Sequence, residues 1–251
     1  MAKQAVKFEI NLTYRCNHKC DWCNRLVDTL PIPDSDVSLE QLDAFCQRVR
    51  KDKIEISRFK VAGGEPLVHP HFLEALGMLS GLYRDGLVQW FWVLTNTMAP
   101  TYPTLPPGMS WRRSPPSSKN HDPLLISPKD LGFDAKFGFG ERCLIQTLCG
   151  CAFEAWGYAP CALAGAYAHL LRINVWSPDP VWAGTRELCE HCIWTLPRAP
   201  RFRLWDLGRE GSLPFPSGTL KQALADAQRD LVRFPRYQPS SRGMRRKCQE
   251  P

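Results

Sequence analysis

No apolar run in this 251-residue chain approaches the roughly 18–20 consecutive residues that a membrane helix needs. A helical membrane anchor is therefore not expected. The start, MAKQAVKFEI, has a lysine but no apolar core of the kind that marks a secretory signal. The expected location is the cytoplasm. There is no internal repeat. Wholesale disorder is excluded as well, because 44% of the residues are apolar and can build a core. The most informative shortage is local. Cys16, Cys20 and Cys23 crowd into YRCNHKCDWCN with no fourth cysteine beside them.

Cysteine itself is not scarce, with 11 in the chain. In a reducing compartment such a number does not imply a disulfide framework, so spacing decides. Beyond the first three, Cys143, Cys149, Cys151 and Cys161 form a second group, followed by the pair Cys189 and Cys192. Cys46 and Cys248 stand alone. The net charge of +7 owes much to the end of the chain, where Arg236, Arg242, Arg245, Arg246 and Lys247 face only Glu250. This reads as a solvated basic tail over 235–251 and argues against a nucleic-acid-binding face.

Periodicity supplies the elements. VKFEINLTY reads as a strand, and SLEQLDAFCQRVR as a helix. Ser38 and Gln41 form a capping-box pattern there, and Leu39, Leu42, Phe45, Cys46 and Val49 line one apolar face. Cys46 is thus expected as a buried small hydrophobe. KIEISRFKVAGGEP is a second strand ending in a glycine loop. HFLEALGMLSGLYRDG is a second helix closed by Gly86. LVQWFWVLTNT is a third strand, apolar on both faces. The first hundred residues so read βαβαβ, a parallel sheet with right-handed crossovers. The proline-dense stretch from Ala99 to Asn120 excludes helix and central strand and reads as a long connection. FEAWGYAP suggests a hairpin turning near Gly157, and 219–234 a last helix with Leu220, Leu224, Ala227 and Leu231 on one face.

Thiolates suit zinc, copper(I) and iron–sulfur clusters. A structural zinc site closes with four ligands. His18 lies within the loop and is read as a solvent-facing polar residue, and Cys46 belongs to a helix core. A 4Fe-4S cubane accounts for three thiolates differently, since its fourth iron stays open to a ligand that is not protein. The loop also follows a strand, at the sheet edge where α/β folds bind ligands.

Cys16-x3-Cys20-x2-Cys23 with Trp22 before the last cysteine resembles the radical S-adenosylmethionine (radical SAM) enzymes. Gly63, Gly64, Glu65 and Pro66 stand where that family has its GGEP motif, and LTNT, with Asn96, resembles the family's TNG. The resemblance implies a 4Fe-4S cluster on Cys16, Cys20 and Cys23. S-adenosylmethionine would chelate the open iron, Gly63 to Pro66 would help hold its amino group, Trp22 would pack near the adenine, and Asn96 would belong to the cofactor site. One electron then yields a 5′-deoxyadenosyl radical that abstracts a substrate hydrogen. An electron donor such as flavodoxin or ferredoxin is implied, together with a peptide or small-molecule substrate. The catalytic acid or base is not identified.

The later cysteines resemble the SPASM/Twitch auxiliary-cluster domains of the same enzymes. The spacing is imperfect, because three residues instead of four separate Gly157 from Cys161. Four ligands for a second 4Fe-4S cluster are expected from Cys143, Cys149, Cys161, Cys189 and Cys192, with Cys151 left out. Too few cysteines remain for a third cluster, so the Twitch type is implied. Only three βα units fit before residue 98, and three more cannot fit before Cys143. The expected fold is therefore α/β, a partial and shortened (β/α) barrel of parallel strands with a small C-terminal auxiliary-cluster domain. Its segments are expected at 1–98 (core), 99–142 (connection), 143–200 (auxiliary domain), 201–234 (segment and helix) and 235–251 (tail). The competing class is a non-enzymatic zinc- or nucleic-acid-binding protein.

Overall fold

A computed structural model of the protein describes residues 5–20, 23–27, 29–96, 101–114, 125–132, 143–180, 186–196 and 216–239. Trp22, Thr97, the segment FDAKFGFG and Cys248 lie outside them. The elements run β1 (Val6–Thr13), α1 (Leu39–Lys51), β2 (Ile56–Gly63), α2 (Phe72–Arg84), β3 (Val88–Thr95), β4 (Met109–Arg113), α3 (Leu144–Cys149), β5 (Cys151–Glu154), β6 (Gly157–Ala159), α4 (Ala164–Leu171), α5 (Arg186–Cys189) and α6 (Gly218–Arg229).

The strands make one six-stranded sheet in the order β4-β3-β2-β1-β5-β6. Every neighbouring pair is parallel except the β5-β6 hairpin. The first three strands and two helices form as their periodicity predicts. The capping box is present, with Ser38 Oγ accepting from Gln41 N–H and the Gln41 side chain accepting from Ser38 N–H. Gly86 closes α2 at φ +71°. Gly157 turns the hairpin at φ +127°, a value that disfavours any side chain.

The register sorts the side chains. Phe8, Phe59, Phe91 and Met109 are paired across four strands and face α1 and α2. Phe45 from α1 enters this layer, its ring 5.1 Å from Phe8 and 5.2 Å from Phe153. Burial of this aromatic layer is the main stabilising feature of that face. Cys46 is buried beside it, as expected, and burial pushes its thiol up to about 12. The next row, Glu9, Lys60, Trp92 and Ser110, lies on the opposite face. Over β1 and β5 this second face is covered: Lys7 Nζ donates to the Thr147 carbonyl of α3 at 2.5 Å, and Gly165 of α4 sits against the Glu154 carboxylate. A Cβ at Gly165 would overlap that carboxylate and the Tyr14 hydroxyl. Over β3 the face is open, with Trp90 64% exposed.

Five expectations need correction. Strand β3 is not apolar-buried on both faces, because its second face is uncovered among the described residues. The proline-rich connection contains β4, which forms because it is an edge strand and its five residues, MSWRR, include no proline. Trp111 anchors it, stacked on Phe72 of α2 with ring centroids 6.2 Å apart and 5.1 Å from the Tyr102 ring. The last helix stops at Arg229, leaving Leu231 exposed, so that Phe234 can reach His169 and Trp176 at 5.1 and 4.8 Å. The tail, expected from residue 235, is docked through its first residues. Tyr237 N–H donates to the Ala155 carbonyl, and Arg236 donates to the carbonyls of Asp34 and Asp36. The hairpin at 151–159, read as part of a separate segment, pairs directly with β1 and continues the sheet.

Candidate cofactor site at the strand edge

Three strand ends converge where the parallel strands finish. β1 runs into the cysteine loop, β2 into Gly63–Pro66, and β3 into Asn96. Gly64 N–H donates to the Thr13 carbonyl at 2.8 Å, and Glu65 N–H to the Arg15 carbonyl at 2.9 Å. These bonds press the glycine loop against the residues that lead to Cys16. A Cβ at Gly63 would overlap the Thr13 carbonyl oxygen, and one at Gly64 the Arg15 carbonyl oxygen. Gly63 also takes φ +135°. Both positions require glycine for close backbone approach.

Glu65 is 1% exposed. Its Oε2 accepts from the Thr95 hydroxyl at 3.1 Å and from Asn96 N–H at 2.7 Å, and its Oε1 accepts from Leu67 N–H at 3.1 Å. Burial raises its pKa, against the opposing pull of these donors. The side chain therefore clamps the glycine loop to the end of β3. Asn96, so positioned, directs Nδ2 to Cys16 Sγ at 3.6 Å and to Asn17 Oδ1 at 2.7 Å. Pro66 begins a short 3-10 turn that ends at Val68. Of the expected site residues, Cys16, Cys20, Cys23, Gly63, Gly64, Glu65, Pro66 and Asn96 thus lie on the adjoining ends of three neighbouring strands. Trp22 lies outside the described residues.

The cysteine loop is also anchored from below by residues that no motif marked. Arg25 N–H donates to Cys23 Sγ at 3.4 Å. The guanidinium of Arg25 donates to Asn11 Oδ1 at 3.0 Å and pairs with the Glu9 carboxylate, both partners almost fully buried. Asn11 in turn donates to Glu154 at 2.5 Å, and Glu154 also accepts from the Tyr14 hydroxyl at 2.8 Å and Trp176 Nε1 at 2.7 Å. Glu154 is wholly buried and its pKa is raised by that burial. This network ties both ends of the cysteine loop, through Tyr14 and Arg25, to β5. The hint in the sequence was a charge and an amide, Glu9 and Asn11, inside an otherwise apolar strand pattern.

The fit to a metal cluster rests on the donor set. Cys16, Cys20 and Cys23 are in no disulfide and are half-buried. The turn Cys23 N–H to Cys20 carbonyl, 3.2 Å, holds two of them on one bend. Soft thiols close in sequence at a strand edge suit iron–sulfur ligation. Among the described residues no group of three or more His, Cys, Asp or Glu side chains is arranged to hold a metal ion.

The later cysteines divide into two places. Cys143 precedes α3, Cys161 precedes α4, Cys189 ends α5 and Cys192 follows it. The Cys192 N–H bonds the Cys189 carbonyl at 3.0 Å. Cys161 feels the charges of Cys192, Cys143 and Cys189, and Cys192 those of Cys143 and Cys189, so these four thiols share a neighbourhood. Burial raises all of their pKa values for which a shift is resolved, Cys189 to about 11. Cys149 is elsewhere. Its Sγ accepts from Lys60 Nζ at 3.0 Å, beside Glu9 and Arg25 on the half of the second face that α3 covers. Cys151 is buried in β5 and donates to the Ala159 carbonyl at 3.1 Å.

The fold and this edge define an α/β protein with a thiol-rich loop at the C-terminal ends of parallel strands. Residues 10–103 match the family model described as Radical SAM superfamily. Over 81 residues the chain is 31% identical to a probable GTP 3',8-cyclase of Methanothermobacter marburgensis, a span that covers 32% of this chain. The chain spans about a quarter of the length of that curated relative. The crystal structure of BtrN in complex with AdoMet and 2-DOIA is similar at a TM-score of 0.42 and 13% identity, covering 85% of this chain and 92% of that one. No helix among the described residues is long and apolar enough to cross a membrane.

Proposed function

We propose that the protein is a radical SAM enzyme acting on a peptide or small-molecule substrate. The observation that carries this reading is the convergence of the three-cysteine loop, the glycine loop and Asn96 at the ends of three adjacent parallel strands, inside the segment that matches the superfamily model. Cys16, Cys20 and Cys23 would hold a 4Fe-4S cluster and leave one iron for S-adenosylmethionine. When bound, the cluster supplies one-electron reductive cleavage of S-adenosylmethionine, and the resulting 5′-deoxyadenosyl radical takes a hydrogen atom from the substrate.

The chain's own residues bind and orient. Bare backbone at Gly63 and Gly64 admits close approach, and Glu65 fixes the glycine loop and Asn96 in register. The Asn96 amide donates toward Cys16 Sγ, a contact of the kind that tunes a cluster's potential. Trp22, on the same loop, is the candidate for covering the adenine. The Glu9–Arg25 pair and the Glu154 network hold the loop against the sheet so that its thiols stay grouped.

A second 4Fe-4S cluster is proposed on Cys143, Cys161, Cys189 and Cys192, a complete set of four protein ligands. This favours electron transfer over substrate ligation as its role, because no iron would remain open. Cys149 is left out of this proposed set because its Sγ accepts from Lys60 Nζ. The division into a core, a connection and an auxiliary-cluster segment at 143–200 remains part of this proposal, as does a flavodoxin or ferredoxin donor. The test is anaerobic reconstitution with iron and sulfide, followed by dithionite and S-adenosylmethionine. Formation of 5′-deoxyadenosine supports the reading; tight zinc with no cleavage supports a metal-binding module instead.

A further inference from the structure

The open half of the second face carries a feature that the cofactor site does not use. Trp92 of β3 is flanked from both neighbouring strands by guanidinium groups. Arg58 of β2 lies 4.9 Å from the centroid of its ring, and Arg112 of β4 lies 4.5 Å from it. A guanidinium stacked on an aromatic ring keeps its in-plane N–H groups free for bidentate bonds to an oxyanion. Arg58 spends one of its donors on the Leu148 carbonyl at 3.2 Å, which fixes its direction. Arg112 is exposed. The carboxylate in the same row, Glu9, is engaged by Arg25 and by Lys60 at 3.7 Å. Two like charges held beside one ring repel unless an anion lies between or across them.

The position suits a substrate. Arg112 is paired with Leu94, two residues before Asn96, and Trp92 lies four residues before it. At about 3.3 Å per residue the fork is roughly 7 to 13 Å below the strand edge where the cysteine loop stands. Exposed Trp90 and half-buried Lys60 extend the same surface.

We infer that Arg58, Trp92 and Arg112 form an oxyanion fork that holds the phosphate or carboxylate of the substrate while its reacting carbon reaches the strand edge. This rests on the radical SAM reading for the identity of the site, but its binding test does not depend on turnover. The reconstituted protein is titrated calorimetrically with GTP against guanosine, and with a short peptide containing two glutamates against the same peptide containing glutamines. The expected result is at least about ten-fold tighter binding of one anionic probe than of its neutral counterpart, with Arg112→Gln and Arg58→Gln each removing about ten-fold. The GTP arm identifies a phosphate and the peptide arm a carboxylate. Trp92→Leu, which frees both guanidiniums, should also weaken the anion. Equal binding of charged and neutral probes overturns the inference. So does an Arg112→Gln protein that loses S-adenosylmethionine binding and not the anion, since the fork would then belong to the cofactor. Anion preference without 5′-deoxyadenosine formation by the unsubstituted protein would keep the fork and remove the radical reading.

Discussion

The two thiol regions differ in the number of thiols and in their burial. The loop of Cys16, Cys20 and Cys23 has three half-buried thiols at the mouth of a parallel sheet, beside bare glycine backbone and an amide aimed at Cys16. The set of Cys143, Cys161, Cys189 and Cys192 has four, gathered from the starts of two helices and the end of a third, with Cys192 buried in the core. Three donors leave a coordination position for something else; four do not. In the proposed reading, ligand number and burial, more than thiol chemistry, would separate a cluster that binds a cofactor from one that passes electrons.

The largest effect should come from opening the first region. Cys20→Ala is expected to abolish 5′-deoxyadenosine formation completely, whereas Cys192→Ala should spare it and lower iron from about eight to about four per chain, each cubane holding four. Iron analysis beside product chromatography reads both. Next, Cys161→Ala and Cys149→Ser should part company. The first loses the second cluster, and the second keeps its full iron content because that thiol faces Lys60. Equal iron loss in the two would place Cys149 among the ligands.

Smaller effects test the scaffold. Arg25→Met leaves the buried Glu9 carboxylate with only Lys60 at 3.7 Å and should cost about 3–4 kcal/mol in denaturant unfolding. A drop under 1 kcal/mol would mean that the pair does not anchor the loop. The smallest effect concerns His169, whose burial against Tyr14 and Trp156 lowers its pKa to about 4. The unfolded chain takes a proton on this imidazole that the folded one refuses, so stability should fall as pH drops from about 6.5 toward 4. The loss is about 2–3 kcal/mol at the low end, and His169→Gln should flatten it.

The βαβαβ half of the fold was readable because its signals are local. A capping box, a 3.6-residue apolar face and the glycines after β2 each fix their own element. The cysteine loop and the GGEP sequence were readable for the same reason. What escaped depended on distant partners. β4 exists because an edge strand tolerates proline on its flanks and because Trp111 finds Phe72. Helix α6 ends early because Phe234 is worth more in the His169 and Trp176 cluster than on a helix. The neighbours of the later cysteines could not be chosen by spacing, since Cys143 and Cys149 sit at opposite ends of one short helix and only one of them faces Cys161. Glu65 looked like a cofactor ligand in the motif, and the fold adds that its carboxylate braces Thr95 and Asn96.

The central claim is that the three-thiol loop keeps one iron for S-adenosylmethionine while the four-thiol set is complete. Electron paramagnetic resonance of the reduced, reconstituted protein, with and without S-adenosylmethionine, tests it directly. The account predicts that the cofactor alters one cluster signal in the unsubstituted protein and in Cys161→Ala, and alters nothing in Cys20→Ala. A signal in Cys20→Ala that still shifts with S-adenosylmethionine, or a protein that holds zinc and gives no cluster signal, would contradict it.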